Sequence, residues 1–390
     1  MIFDQFFRKS KTVSGIYPVE LSSGSAGFSP WDGDSYRNDI FRAAVDAIAR
    51  NAGKLKGTHF IQNGEMRQPA EGRLNRLMQI QPNPYMNAYD MLYKAVTHYY
   101  LFNNAFLFIQ RDRSGVSGIY PLSPSRVEFL QDGTGALFCR FYFQKGDAVI
   151  FPYADIVHLR RSFNRNDLLG EDNSALSPAL ELAHAQNQGI INGIQSGASI
   201  RGILKFDQIL SPEALKESKN QFIKDYMGLS NQSGVVVTDK KMTYQPITGA
   251  PVLIDEGQLK ATKSKIYEYL GITESIVNSS YDEDTWCAFY ESTIEPIAVQ
   301  LGLEFTRKLF TEREQAFGNR VIFESSRLQF ASNSTKTNLI KELMPYGLLT
   351  INQALEILNL PAVEDGDRRL QTLNVVNADK ADEYQTGGTE

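Results

Sequence analysis

The stretch YPLSPSRV at residues 120–127 closes a strand-rich part of the chain and is the first of four short signatures that follow in a fixed order. DIVHLR follows at 155–160. Gly170 and the string SPAL at 177–180 come next, and GLLTIN at 347–352 ends the series. Each string is weak alone. Their order and spacing connect most of the chain to one fold.

In this order the signatures resemble the portal proteins of tailed bacteriophages, the large family named after phage HK97. The resemblance covers about residues 36–370 and includes four further strings: DIFRAAVDAIA at 39–49, PNP at 82–84, NNAF at 103–106 and IYEYLGIT at 266–273. The chain departs from the family pattern in four places. Asn103 replaces a glycine, Phe106 replaces a tyrosine, a proline is missing at Thr273, and Gln353 stands where glutamate is usual.

Composition is that of an ordinary folded chain. It has 390 residues, enough for two or three domains, with 42% hydrophobic and 22% charged residues. No window approaches 18 uninterrupted apolar residues, so we expect no membrane span. The N-terminal residues place basic side chains after apolar ones, unlike a secretory signal. Cys139 and Cys287 give neither a disulfide framework nor metal-ligand spacing, and a reducing cytoplasm is the simplest compartment.

The net charge of −5 bears on nucleic-acid binding. Tight DNA binders present basic patches because phosphate neutralisation supplies most of their affinity. The longest basic runs here are the pairs at 160–161 and 240–241. This charge argues against a protein that reads DNA and is compatible with a conduit through which DNA slides.

The first half predicts an arm, two helices and a strand-rich region. Residues 1–35 show little periodicity and predict an arm that is flexible or docks on a neighbour. Apolar spacing predicts a helix over 37–52, and Asn87 with Asp90 caps a second helix over 87–102. Aromatic and β-branched runs then predict strands at 105–111, 118–122, 127–130, 136–143 and 148–151.

The middle of the chain predicts a small insert between two helices. Pro178 suits the first turn of a helix that runs to about Ser199 and carries one charged residue, Glu181, so we expect both of its faces to make contacts. A strand at 202–206, a helix from Ser211 to about Gly228 and a hairpin of 234–238 with 242–245 follow. A second bracketing helix is predicted at about 256–270.

After Gly271 a polar segment precedes a long helix that we expect to end near Glu314. Pro296 inside it predicts a kink, because proline removes a backbone donor and clashes with the preceding turn. Two short helices are expected near 335–345 and 350–359, before a polar, disordered end from about Ala378. The buried stripe of the long helix consists of Tyr290, Ile294, Ile297, Leu301, Phe305 and Leu309.

The residues also permit the hypothesis that the chain is an enzyme. Asp155, His158 and Ser177 form a conceivable triad for a serine hydrolase, but Ser177 lacks a nucleophile elbow and precedes proline, which favours a helix cap. His158, between two apolar neighbours, favours a hydrogen-bonded strand residue. The acids at 282–284 fit a helix N-terminus better than a divalent ion site. No phosphate-binding loop is present, so the ATP-driven motor is not in this chain.

Aromatic and basic side chains raise further hypotheses. Trp286, Phe289 and Tyr290 could stack on bases, although their helical spacing favours a core or a subunit interface. Lys260, Lys263 and Lys265 could contact DNA phosphates or acids of a neighbouring subunit, and the sequence leaves both open. The mixed charges around Lys216, Lys219 and Lys224 are typical of a solvated face.

The resemblance implies an α+β portal fold with a β-rich α/β wing, a helical stem, a small α/β clip, a long kinked tunnel helix and a short helical crown, assembled as a ring. The implied divisions are an arm at 1–35, wing at 36–176, stem helices at 177–200 and 251–271, clip at 201–250, tunnel loop and helix at 272–316, return to the wing at 317–334, crown at 335–377 and tail at 378–390.

The implied function is a channel, typically of twelve subunits, at one capsid vertex, through which double-stranded DNA is packaged and ejected. Its implied partners are the large terminase subunit, a head–tail adaptor, the major capsid protein, scaffolding protein and DNA passing non-specifically, with no membrane, metal or cofactor. The implied location is the virion, after assembly in the host cytoplasm. Besides the serine hydrolase, the second alternative function is a scaffolding protein that forms no channel. We expect Asn278, Ser279, Ser280 and Tyr281 to face DNA, and Lys216, Lys219, Lys224, Lys240 and Lys241 to lie where terminase and adaptors dock.

Overall fold

The computed structural model describes residues 17–18, 34–63, 66–198, 202–206, 211–226, 242–246, 255–324 and 333–371. The chain divides into two compact units. The first consists of Met1–Asn173 with Leu270–Glu390, and the second of Ser174–Tyr269.

Helices and strands are mixed along the chain, which makes the fold α+β. The helices are α1 (Asp34–Arg37), α2 (Asp39–Ala52), α3 (Arg73–Gln79), α4 (Ala88–Phe102), α5 (Ser177–Ala198), α6 (Pro212–Tyr226), α7 (Glu256–Leu270), α8 (Glu274–Val277), α9 (Glu283–Phe289), α10 (Glu295–Leu309), α11 (Glu312–Ala316), α12 (Asn333–Leu343) and α13 (Ile351–Ile357). None of the described helices has the length and apolar character needed to cross a membrane.

The strands are β1 (Tyr17–Pro18), β2 (Lys56–Asn63), β3 (Met66–Pro69), β4 (Asn104–Asp112), β5 (Gly115–Pro121), β6 (Arg126–Gln131), β7 (Leu137–Tyr142), β8 (Val149–Pro152), β9 (Ile156–Arg160), β10 (Gly202–Phe206), β11 (Met242–Pro246), β12 (Asn319–Glu324), β13 (Tyr346–Thr350) and β14 (Arg369–Gln371). In the first unit they form sheets in the orders β5-β4-β9, β1-β6-β7-β8, β12-β2-β3 and β13-β14. All of these pairings are antiparallel.

The two predicted N-terminal helices are present and capped. The Asn38 side chain accepts from Phe41 N at the start of α2, whose inner face is fully buried. The Asn87 side chain accepts from Asp90 N at the start of α4, as its spacing predicted. A core of aromatic and aliphatic side chains then fills the space beside β4 and β6–β9: Phe106, Leu122, Val127, Phe129, Cys139, Phe141, Ile156 and Leu169.

In the second unit, α5 covers the predicted helix, and Gln186 on it donates to the Gln258 carbonyl of α7. The insert contains α6 and an antiparallel pair in which β10 lies beside β11. The predicted partner strand at 234–238, the turn with Lys240 and Lys241, and the helix end at Gly228 lie outside the described residues.

The prediction of one helix reaching Glu314 is wrong. Helix α10 ends at Leu309, and Phe310 has extended backbone angles. Thr311 and Glu314 then form a capping box that starts the separate helix α11. The signature of that box, threonine followed three residues later by glutamate, is visible in the sequence.

The irregularity expected at Pro296 takes a specific form. Residues Tyr290–Ile294 make a turn of π helix between α9 and α10, in which Glu295 N donates to the Tyr290 carbonyl. Pro296 then lies in the first turn of α10, directly after this π turn. All six residues of the predicted buried stripe are buried.

The ends of the chain are described only in part. In the predicted arm, Tyr17 and Pro18 pair with Gln131 and Leu130 of β6, and α1 begins at Asp34. The rest of the arm before α1, and the predicted tail from Ala378, lie outside the described residues.

Candidate functional site

The loop between α8 and α9, residues 278–281, is exposed at all four positions. Its backbone is held by the end of α8, since Ser280 N donates to the Ser275 carbonyl and Ser279 N to the Ile276 carbonyl. These two bonds form a Schellman motif, in which the residue directly after the C-cap takes a left-handed conformation. Ser279 takes that conformation with φ of 58°. The loop is therefore short and defined at its start.

Helix α9 defines the other end of the loop. The Asp282 side chain accepts from Thr285 N at 2.9 Å, and its hydrogen bonds with Thr285 lower the pKa of the Asp282 carboxyl. Tyr281 stacks on the Trp286 ring with centroids 5.3 Å apart. Tyr281 remains exposed, whereas Trp286 is buried against Phe289. The aromatic group at 286–290 therefore belongs to the core, and within the loop Tyr281 presents an aromatic face to solvent.

Three side chains fix α10 to β4, β9 and the turn before β9. The Gln300 side chain bonds both the N–H and the carbonyl of Arg160 at the end of β9, at 3.2 and 2.9 Å. Lys308 donates to the Tyr153 carbonyl, and its ammonium lies 3.7 Å from the centre of the Tyr153 ring. Arg111 donates to the Lys308 carbonyl. Burial lowers the pKa of Lys308 to about 8. Sequence reasoning missed these anchors, whose only signal was polar residues beside a buried stripe.

Two of the four signatures, DIVHLR and Gly170, meet the further string NNAF in one buried polar network. The Asn104 amide group accepts from Gly170 N and donates to the Gly170 carbonyl, at 2.9 and 3.0 Å. His158 Nε2 lies 3.0 Å from Asn104 Oδ1, and the Tyr153 hydroxyl lies 3.3 Å from His158 Nδ1. Because Asn104 Oδ1 is an acceptor, the proton is assigned to Nε2 and Tyr153 donates to Nδ1. Asn104 and His158 are no more than 2% exposed.

Asn103 and Asn173 extend this network to the end of α4. Asn103 has φ of 51°, a conformation that suits glycine or asparagine, which explains how asparagine replaces the family's glycine here. Its side chain donates to Asn173 Oδ1 and to the Glu171 carbonyl. Asn173 donates to the carbonyls of Tyr100 and Leu101 at the last turn of α4. These strings therefore have a structural role in this fold.

The fourth signature, GLLTIN, starts α13. Thr350 and Gln353 form a capping box, so Gln353 performs the role of the usual glutamate. Asn352 bonds Val363 N and Asp367 across the following turn. Gly347 has φ of 68°, which requires glycine's freedom.

The lysines singled out in the sequence do not form one surface. Lys260 and Lys265 on α7 are exposed, and Lys263 is half-buried, with its ammonium 5.7 Å from the Tyr267 ring. Lys263 and Lys265 are two residues apart, about 200° around the helix, so they point in nearly opposite directions. On α6, Lys216 is exposed. The structure describes Lys219 and Lys224 only by their positions in the helix.

The hydrolase hypothesis gains no support from the geometry. Both ring nitrogens of His158 are occupied, and burial lowers its pKa well below the usual range. Asp155 pairs with Arg111 at 2.9 Å. Among the acids at 282–284, Asp282 caps α9 and Glu283 accepts from Thr335, as expected for a helix start. The described part of the chain contains no cluster of three residues that could hold a metal ion.

Comparison with known proteins agrees with this fold. Residues 39–359 match the family model described as phage portal protein. The chain belongs to the phage portal protein family.

The curated relatives and solved structures are distant in sequence. A probable portal protein of Lactococcus phage p2 is 25% identical over 63% of this chain, and the match spans 64% of the relative's length. An HK97 family phage portal protein from Corynebacterium diphtheriae has a TM-score of 0.51 at 11% identity, covering 78% of this chain and 98% of that one. A chain from the neck of a native gene transfer agent particle, computed with C12 symmetry, has a TM-score of 0.58 at 15% identity, covering 86% and 95%.

Proposed function

We propose that this chain is the subunit of a ring of twelve copies that forms the DNA channel at one vertex of a phage capsid. Membership of the portal family supports this proposal, and it is the single observation that carries it. The ring number is supported by the twelve-fold symmetry stated for the neck structure that shares the fold. The proposed action is passage and retention of double-stranded DNA, not catalysis.

The proposed division of labour follows the segments predicted above. The wing comprises 36–176 and the return at 317–334, and α5 and α7 are the stem helices at either end of the clip. The antiparallel pair β10–β11 and helix α6 supply a compact insert of the kind a clip requires. The crown contains α12 and α13.

The loop at 278–281 is proposed as the narrowest element that faces DNA. It is exposed, it carries no net charge, and its start is held by the Schellman motif. A neutral polar surface suits passage, because a lysine-lined wall would bind phosphates. After the loop, the chain continues through α9 and the π turn into α10, which Gln300 and Lys308 anchor.

Partners are assigned to separate regions in this proposal. The large terminase subunit and later the head–tail adaptor contact the clip, with Lys216, Lys219, Lys224, Lys240 and Lys241 as candidate contacts, while Lys260, Lys263 and Lys265 remain candidates for DNA or a neighbouring subunit. The major capsid protein and scaffolding protein contact the wing side. The proposed location is the portal vertex of the virion, after assembly in the host cytoplasm.

The test is deletion of Ser279 and Ser280 from the full-length chain. We expect rings of unchanged size in electron micrographs, together with impaired packaging or retention of DNA in assembled particles. The matched control deletes two exposed residues from the β7–β8 connection, Lys145 and Gly146, and should package normally. Normal packaging by rings that lack the loop residues would overturn the assignment of the loop, and failure of the native chain to form rings would overturn the proposed function.

A further inference from the structure

The C-terminal module, residues 333–371, has almost no core of its own. It contains α12, β13, α13 and β14, yet its only buried apolar side chain among the described residues is Ala354. Six of its large apolar side chains are 39–61% exposed: Tyr346, Leu348, Leu358, Leu360, Val363 and Leu370.

A module this small cannot be stabilised by such burial. Segments below about 40 residues usually need disulfides, metals or oligomerisation to hold a fold. The described part of the module contains no cysteine and no metal-binding cluster. Apolar side chains grouped in this way mark surfaces that another chain covers. Burial against a partner would add stability beyond contacts within the chain, such as the hydrogen bond from Thr335 to Glu283.

The first apolar group lies on the two-stranded ribbon of β13 and β14, and we call it the ribbon patch. It consists of Tyr346 and Leu348 on β13. Tyr346 is opposite Gln371 and Thr350 is opposite Arg369, so Arg369 shares the face of Tyr346 and Leu370 lies on the other face. Arg368 and Arg369, both exposed, precede Leu370. The ribbon patch is therefore apolar with a basic border.

The second apolar group follows α13, and we call it the turn patch. It consists of Leu358, Leu360 and Val363. Its backbone is ordered by bonds from Leu360 N to the Leu355 carbonyl and from Val363 N to Asn352. Exposed acids lie beside it in the chain: Glu356, Glu364, Asp365 and Asp367. The turn patch is therefore apolar with an acidic border.

The bordering charges are unpaired in the part of the chain that the structure describes. Over the described residues, none of Arg368, Arg369, Glu364 and Asp365 forms an ion pair. Two apolar groups with borders of opposite charge are complementary to each other, and complementary borders steer association and fix its register.

We propose that the ribbon patch of one copy of this chain packs on the turn patch of the next copy. A contact between two different patches of identical subunits is heterologous, and such a contact closes into a ring when its rotation allows. A foreign partner would account for one patch, whereas a second copy accounts for both and for their charges. The inference rests on the proposed ring and identifies one surface that joins its subunits.

Cross-linking between differently tagged copies tests the contact directly. One copy carries Leu348→Cys, the other carries Leu360→Cys, and both carry Cys287→Ser to remove the exposed native thiol; Cys139 is buried and stays. The two chains are expressed together, rings are isolated by size, and a short bis-maleimide is added. We expect products that contain both tags. Rings made of one variant alone should give little product, because a heterologous contact keeps like positions apart.

The matched control pairs Leu360→Cys with Leu303→Cys. Leu303 on α10 is as exposed as the module's leucines but lies outside both patches, so this pair should give no mixed product. Rings without mixed 348–360 products would overturn the inference while leaving the channel proposal intact. If only compact monomers form, even with scaffold present, both proposals fail.

Charge reversal gives an independent readout that needs no cysteine. The variant R368E/R369E should weaken the contact, and so should E364R/D365R. The chain that carries all four changes should recover, since its borders are again complementary. Hydrogen exchange of residues 333–371 is the measurement: we expect slow exchange in native rings, fast exchange in either double variant, and slow exchange in the quadruple variant. Slow exchange in both double variants, or in a native monomer, would overturn the inference.

Discussion

The buried network around Asn104 and the exposed loop at 278–281 are opposite ways of using polar residues. In the network every amide has defined partners, and Asn104 alone bonds Phe102, His158 and Gly170. In the loop, backbone bonds hold the chain and all four side chains face solvent. The network contains residues of NNAF, DIVHLR and Gly170, three of the strings that carry the resemblance, whereas the loop contains residues common to any surface. Recognition strings therefore report what the fold requires more than what the surface does.

The largest expected effect is that of Gly170→Ala. A Cβ at this position would collide with the backbone carbonyl oxygens of Arg161 and Asn103, which cannot rotate away as a side chain can. We expect destabilisation of about 3 kcal/mol or more, or loss of soluble protein. Urea unfolding followed by tryptophan fluorescence measures it. Gly133→Ala is the control, since nothing lies within 4 Å of its added Cβ, and it should be neutral or slightly stabilising.

Asn104→Ala should destabilise the protein by about 3 kcal/mol, because it leaves buried donors and an acceptor of Gly170 and His158 without partners. The matched change in the exposed loop, Asn278→Ala, should cost less than about 0.5 kcal/mol. The same unfolding titration compares them. Equal losses for the two asparagines would show that the contrast between network and loop is wrong.

Acid should lower the stability of the folded protein through the buried network. Burial, and then the positive charges of Arg160, Lys308 and Arg307, hold the pKa of His158 well below its ordinary value. The unfolded chain therefore takes up a proton on acidification that the folded chain resists, and stability falls as the pH drops below the ordinary histidine range. His98, whose pKa burial lowers to about 4, adds a fall of the same sign.

His158→Gln should reduce this acid sensitivity, because the amide keeps hydrogen-bonding capacity without titrating in this range. The measurement is the urea midpoint at pH 7.5 and at pH 5. His184→Gln, on the exposed part of α5, serves as the control and should leave the difference unchanged. An undiminished pH dependence in the His158 variant would remove the histidine from the explanation.

Local rules predicted much of the fold. The caps Asn38 and Asn87, the strands between α4 and α5 and the buried stripe from Tyr290 to Leu309 all follow from periodicity and hydrogen-bonding capacity that a short window contains. The resemblance supplied the family, but it could not supply the contacts, such as those of Gln300 and Arg160, which are distant in the chain. The exposed patches of the C-terminal module were also missed, since leucines in a short helix and strand predict a core unless the structure shows that none forms.

The smallest expected effect concerns the loop itself. Ser279 holds a left-handed backbone that glycine adopts freely, so Ser279→Gly should stabilise the protein by about 1 kcal/mol. Ser280→Gly, at a residue with negative φ, should instead cost about 0.5 kcal/mol, because glycine loses more freedom on folding. Unfolding titrations of both variants give the two signs. If a ring carrying Ser279→Gly retains DNA normally, only the path of the loop backbone matters at that position. If retention falls while stability rises, the serine was kept for its side chain, and the loop would differ from the network in function as well as in packing.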